Sequence, residues 1–175
     1  MEAPVEPSRR VALTFREHEF EHAQPAPLFA GIVGRWPDVR DEHFVIATIV
    51  SELFINALDH GVLGLDSELR SAAQFETFTG IRSAAITRRK GRVKVTVELR
   101  AFDAEWEITV AVADSGPGYD AAKLAPTSSE DAFGRGLELV RGLASSFETN
   151  AAGNVAIATV RYPRPQSMQS VPYAM

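Results

Sequence analysis

The sequence has no cysteine, which removes disulfides and thiolate chemistry from consideration and fits a reducing compartment. Long apolar runs are missing too. The densest stretch, Val45 to Val50, falls far short of the ~20 residues a membrane-spanning helix needs, so no membrane segment is expected. Met1 to Arg10 carries charge and two prolines but not the apolar run of a secretory signal, and the expected location is cytoplasmic. Basic residues are in the minority, with 18 Lys and Arg against 23 Asp and Glu and a net charge of -5. That balance argues against nucleic acid or an anionic membrane as partner, since both demand clustered cations. One basic cluster exists, Arg88, Arg89, Lys90 and Arg92, and it reads as a solvated turn before a strand.

What is present is the composition of an ordinary globular protein, 45% hydrophobic and 23% charged over 175 residues. That length suits one domain with its own core. The expected division is a flexible N terminus over 1–9, a domain over 10–163 with an insertion at 66–92, and a proline-rich disordered tail over 164–175.

Alternation of Val11, Leu13 and Phe15 with small or polar residues predicts a first strand. Leu28, Ile32 and Trp36 follow Pro25 and Pro27 at helical spacing, so a short helix is expected to reach Trp36. The longest helix is predicted from Glu42 to about Gly61, with Asp38 or Asp41 as its cap and Ile46, Val50, Leu53 and Ala57 on one face. Glu52, Asn56 and His60, spaced i, i+4 and i+8, make a polar stripe beside that apolar face. Val93 to Leu99 and Trp106 to Val112 alternate as two strands of a hairpin. Leu137, Val140, Ala144 and Phe147 mark a further amphipathic helix, and Val155 to Tyr162 a closing strand. Between Asp66 and Arg92 no period can be fixed, and a partly helical insertion is expected. The order of elements predicts an α/β (α+β) two-layer sandwich, a mixed and mainly antiparallel sheet covered on one face by helices.

Three short motifs stand in sequence: Glu52-Leu-Phe-Ile-Asn56-Ala-Leu-Asp-His60, Asp114-Ser-Gly116-Pro-Gly118 after a strand, and Gly134-Arg135-Gly136-Leu137 opening a helix. Each alone is weak. An Asn amide oxygen on a helix suits Mg²⁺, which keeps several waters and takes few protein ligands, so Asn56 is the candidate metal ligand. Glu52, one turn earlier, is the candidate general base beside a γ-phosphate; the plain alternative is a surface glutamate in a helical ion pair. Asp114, at the end of an apolar strand, can accept a hydrogen bond from an exocyclic amine such as that of adenine. Gly116 and Gly118 then let the backbone approach the base, against the plain alternative of an Asp-Ser-Gly turn. Gly134 and Gly136 leave free N–H groups at a helix N-terminus, a natural phosphate site that a bare loop-to-helix junction would also produce. Arg135 can reach a phosphate or point to solvent. His60 is a nucleotide-contact candidate or a brace for the helix end, whereas His18, His22 and His43 lack metal-ligand spacing and read as surface residues.

Together the three segments resemble the N, G1 and G2 boxes of the GHKL superfamily of gyrase, chaperone, histidine kinase and mismatch-repair ATPases, over roughly Val11 to Tyr162. The form Glu-x-x-x-Asn-Ala-x-x-His-Gly, with a short lid between Gly118 and Gly134, is similar to the anti-sigma factor serine kinases. The insertion beginning Val-Leu-Gly-Leu-Asp-Ser resembles a subgroup fused behind receiver and phosphatase modules in bacterial response regulators. The resemblance implies a Bergerat ATP-binding fold, ATP and Mg²⁺ as ligands, and γ-phosphoryl transfer to a serine of a STAS-type anti-sigma factor antagonist. A sigma factor and a second copy of the chain are further implied partners. In the same terms Asn56 corresponds to the metal ligand, Glu52 to the base and Asp114 to the adenine reader. Gly116, Gly118, Gly134, Arg135, Gly136, Leu137 and His60 would surround the nucleotide. One departure is visible. Many GHKL proteins carry Thr near the start of the last strand, where this chain has Asn154-Val155, and Thr159 lies deeper and stays unassigned.

Two rival enzymes of that superfamily fit less well. A histidine kinase would carry a dimerisation helix with its phosphoacceptor histidine ahead of Glu52, where a strand and a short helix are expected, and a gyrase-type ATPase would need a longer lid and a transducer domain. The alternative from another class is a nucleotide-gated protein-binding regulatory module with little or no kinase activity, against which the carboxylate of Glu52 argues.

Overall fold

The computed structural model describes residues 5–39, 42–65, 75–118 and 135–164. Five strands, β1 (Val5–Arg16), β2 (Arg92–Ala101), β3 (Glu105–Asp114), β4 (Ser146–Thr149) and β5 (Val155–Pro163), form one sheet in the order β1-β2-β3-β5-β4. The helices are α1 (Pro25–Val33), α2 (Glu42–Asn56), α3 (Phe75–Arg88) and α4 (Arg135–Leu143). The sheet expected to be mainly antiparallel is antiparallel at all four of its pairings.

Period-2 patterning decides which sheet face is covered. Val93, Val95, Val97, Leu99 and Ala101 of β2 and Trp106, Ile108, Val110 and Val112 of β3 are all buried, while their alternates stay at least partly exposed. Ile46, Ile49, Val50, Leu53 and Phe54 of α2 close over that face, joined by Phe29 and Val33 of α1 and Val140 of α4. Each fully buried aliphatic side chain contributes about 1.5–3 kcal/mol, so this seam is the main source of stability. Along the opposite face Arg161 pairs with Glu107 at 2.8 Å and Glu98 with Arg100 at 2.9 Å, both solvent-screened.

Helix α2 runs without a break into a π turn, Ala57–Val62, in which Leu63 N donates to Leu58 O at 2.8 Å. The continuous helix Glu42–Val62, 21 residues containing a window of mean hydropathy 1.4, is long and apolar enough by those measures alone to cross a membrane, although the sequence holds no unbroken apolar run of that length. Half of that stretch is buried inside the domain, where it is the core helix.

Other expectations need correction. β1 starts at Val5, within the segment expected to be a flexible terminus, and Val5 pairs with Ala101 across a register shift that ends at Arg9. Pro7, which has no N–H to donate, sits in that irregularity on an edge strand, where proline is tolerated. Helix α1 ends at Val33, and Trp36 lies in the following turn with its N–H on Val33 O. The helix expected through Phe147 stops at Leu143; Phe147 instead belongs to β4, opposite Ala158. The insertion contributes α3, and the basic residues Arg88, Arg89, Lys90 and Arg92 are exposed around its end, as a solvated turn requires. His18 and His22 are exposed, whereas His43 is partly buried against Phe44 with ring centroids 4.0 Å apart. Asp38 pairs with Arg9 and accepts from the Tyr162 hydroxyl through its carbonyl, and Asp41 and the tail from 165 lie outside the described residues.

Candidate functional site

The carboxyl end of β3, the last turns of α2, the first turns of α4 and the start of β5 meet around a small open cleft. Leu53, Asn56 and Ala57 form one wall, Val112 and Asp114 the floor, Leu137 the α4 side, and Gly153 to Ala156 the remaining wall. An apolar slot with few polar groups is the usual form of a site for a flat heterocycle. Of the residues singled out in the sequence, Asn56, Asp114 and Leu137 line it together.

Asp114 is built in tightly. Its Oδ1 accepts from Gly116 N at 2.8 Å, and its own N–H is held by Asn154 O at 3.0 Å. Burial pushes the carboxyl above the ordinary carboxylate range, partly offset by the Gly116 and Asp114 backbone amides. A Cβ on Gly61 would meet both carboxylate oxygens, at 2.5 and 2.6 Å, and one on Gly116 would overlap Gly61 O. The glycines at 61 and 116 therefore let the π turn settle onto the end of β3, and Asp114 is held between them. Gly118, at φ +82°, packs on Ala152, and its Cβ would collide with that carbonyl.

Asn56 stands at the last α-helical position before the π turn. Its Nδ2 is buried and has no hydrogen-bond partner among the described residues. An orphaned amide in a cleft marks a place for a ligand, because a buried donor left unmade costs about 1–3 kcal/mol. Rotation of the amide by half a turn presents Oδ1 at the same spot, so the group fits either a nucleotide acceptor or a hard cation. Among the described residues no three His, Asp or Glu side chains are grouped to chelate a metal. A Mg²⁺ ion would thus take one oxygen from Asn56 and the rest from phosphates and water, the mode in which this ion usually binds nucleotides.

Glu52 lies one turn before Asn56 and against α4: a Cβ on Gly136 would overlap Glu52 Oε2 and stand 3.3 Å from Cδ. The carboxylate therefore sits at the first turn of α4, where free N–H groups favour negative charge. Glu52 is next to the cleft without lining it. His60 is not in the cleft either. The π turn that begins after Asn56 shifts it off the Glu52–Asn56 stripe, and its Nδ1 is 2.6 Å from Leu65 O, a brace for the helix end. Arg135 opens α4. Gly134 and the lid after Gly118 lie outside the described residues.

Sequence reasoning left Asn154 without a role. It lines the cleft, with its Oδ1 accepting from Asn150 Nδ2 at 2.8 Å and its N–H donating to Asn150 Oδ1 at 3.0 Å. Thr159 pairs with Thr109 and Ser146 on the strand face opposite to buried Ala158 and Val160, away from the helices. Parity along β5 was the available signal: residues 154 and 156 share the helix side, and 159 does not.

The family of histidine kinase-like ATPase domains matches residues 35–160. The chain belongs to that family, and it is an ATP-binding, kinase-like module of the GHKL type. No protein of curated function matches it.

Proposed function

We propose that this domain is a cytoplasmic protein serine kinase of the anti-sigma factor type, using Mg-ATP to phosphorylate a STAS-type anti-sigma factor antagonist. The observation that carries the reading is the Glu52 carboxylate, one helical turn from Asn56 at the seam between α2 and α4, where Gly136 interposes no side chain. Asp114 would accept from the exocyclic amine of adenine, Leu53, Ala57 and Val112 would pack on the ring, and the first N–H groups of α4 would face phosphate oxygens. Mg²⁺, when bound, supplies charge neutralisation on the phosphate chain. Glu52 takes the proton of the incoming serine as its Oγ forms the bond to the γ-phosphorus; the bond from that phosphorus to the β,γ-bridging oxygen breaks, and ADP carries the electron pair away. Positioning does most of this work, so a docked protein that delivers its serine beside Glu52 completes the site.

Labelled ATP mixed with STAS-type antagonists from the same organism should yield phosphoserine, located by mass spectrometry, and the new charge should weaken the complex. Phosphate on a histidine, or on no residue of any antagonist tried, sinks the kinase reading. A second reading, the nucleotide-gated binding module, is favoured by one observation: a carboxylate against the first turn of α4 is also where a purely structural helix-end anion would stand. Under that reading nucleotide changes the affinity for a partner and no phosphate moves. A sigma factor and a second copy of the domain are the partners to test in that case.

A further inference from the structure

Among the described buried residues one is charged, Asp59, at 2% exposure in the middle of the π turn. Its partner comes from the insertion: Arg82 of α3 donates through Nε to Asp59 Oδ1 at 2.7 Å. Most of α3 is exposed, with Phe78 buried and Ala85 and Ile86 half-buried as its apolar footing. Only the carboxylate is fully buried, the Arg82 side chain being 29% exposed, so the cost of desolvating Asp59 offsets much of the attraction and the pair is a modest stabiliser. What such a pair does supply is position.

The element it holds is the one on which base recognition depends. Gly61, two residues beyond Asp59, abuts the Asp114 carboxylate and leaves its own carbonyl against Gly116. Asp59 O also receives Leu65 N at 2.8 Å, and Leu65 O meets His60 Nδ1, so the turn is closed on the same residue that carries the ion pair. We propose that Arg82, acting through Asp59, is a positioning residue for base recognition: α3 fixes the π turn, the turn fixes Gly61, and Gly61 fixes Asp114. The inference rests on Asp114 as reader of an amino-purine. It makes the insertion a working part of the nucleotide site.

The test compares affinities for ADP and for inosine diphosphate, whose ring bears a 6-oxo group in place of the amine, by isothermal titration beside melting temperatures. The wild-type chain should prefer ADP by at least about ten-fold, as a site built around a hydrogen bond does. Arg82→Met should bring the two affinities to within about three-fold, chiefly by weakening ADP, and Arg82→Lys should recover part of the preference. Should Arg82→Met fail to fold with its carboxylate unpaired, Asp59→Asn/Arg82→Met decides, because it leaves no buried charge; it too should lose the preference. Arg88→Leu, which removes an exposed cation from the same helix, should change nothing. A lowered melting temperature with the wild-type ADP preference intact would make the pair structural only and overturn the inference. Absence of any preference in the wild type would instead sink the reading of Asp114, and this inference with it.

Discussion

Gly61 and Asp114 share one space: the carboxylate of Asp114 occupies the position a side chain on Gly61 would take, with Oδ1 2.5 Å from where that Cβ would be. Gly61→Ala should therefore displace the carboxylate or the π turn. Overpacking of this kind costs about 1–3 kcal/mol, and nucleotide affinity should fall with it. Gly31→Ala, in an exposed turn of α1 where a Cβ meets nothing within 4 Å, should stabilise by about 0.5–1 kcal/mol with affinity unchanged. Thermal melts and titrations of the two variants check the contrast.

Asp114→Asn should weaken ATP binding severely, since hydrogen bonds involving a charged group are worth about 1.5–3 kcal/mol. Binding as tight as that of the wild type would remove Asp114 from the base site.

The same variant should behave in the opposite direction when no nucleotide is present. Burial raises the folded-state pKa of Asp114, so the native state holds this proton more firmly than the unfolded chain does. Its contribution to stability is thus most favourable below the ordinary carboxylate pKa and declines as pH rises through the raised value. Asn keeps an oxygen for Gly116 N and carries no charge. Empty Asp114→Asn should melt at or above the wild-type temperature at neutral pH, with the gap closing in acid. A lower melting temperature at neutral pH would contradict this.

Glu52→Gln should keep nucleotide affinity within a few-fold and lose about 10²- to 10⁴-fold in phosphoryl transfer, the usual worth of a general base. Equal transfer rates would reduce Glu52 to a helix-end anion.

Much of the frame was legible because its elements repeat a period. The β2–β3 hairpin alternates without a fault from Val93 to Val112, and α2 has neither proline nor glycine before Gly61. Some helix was expected in the insertion, but the bounds and apolar face of α3 were not legible: Thr77, Thr79, Gly80 and Thr87 dilute both its propensity and its apolar face. Phe147 misled for the opposite reason, since its spacing from Val140 and Ala144 imitates a helix while the chain has already turned into β4. For the cleft, Asn56, Asp114 and Leu137 came from motifs, whereas Asn154 needed the parity of β5. No local pattern announces the π turn, and the pair between Asp59 and Arg82 exists only once segments 23 residues apart have met.

The walls of the cleft come from residues 53–57, 112–114, 137 and 153–156, far apart along the chain and adjacent only in the finished sheet. A partly folded chain with α2 formed and β5 undocked has no cleft at all. Nucleotide therefore reports on complete assembly and rewards nothing less. At a hundred times its dissociation constant it adds about 2.7 kcal/mol to the native state alone. Wherever nucleotide is abundant, the stability of the domain and the occupancy of its site become one quantity, and a substitution that loosens the cleft is felt as a shorter-lived protein as well as a weaker binder.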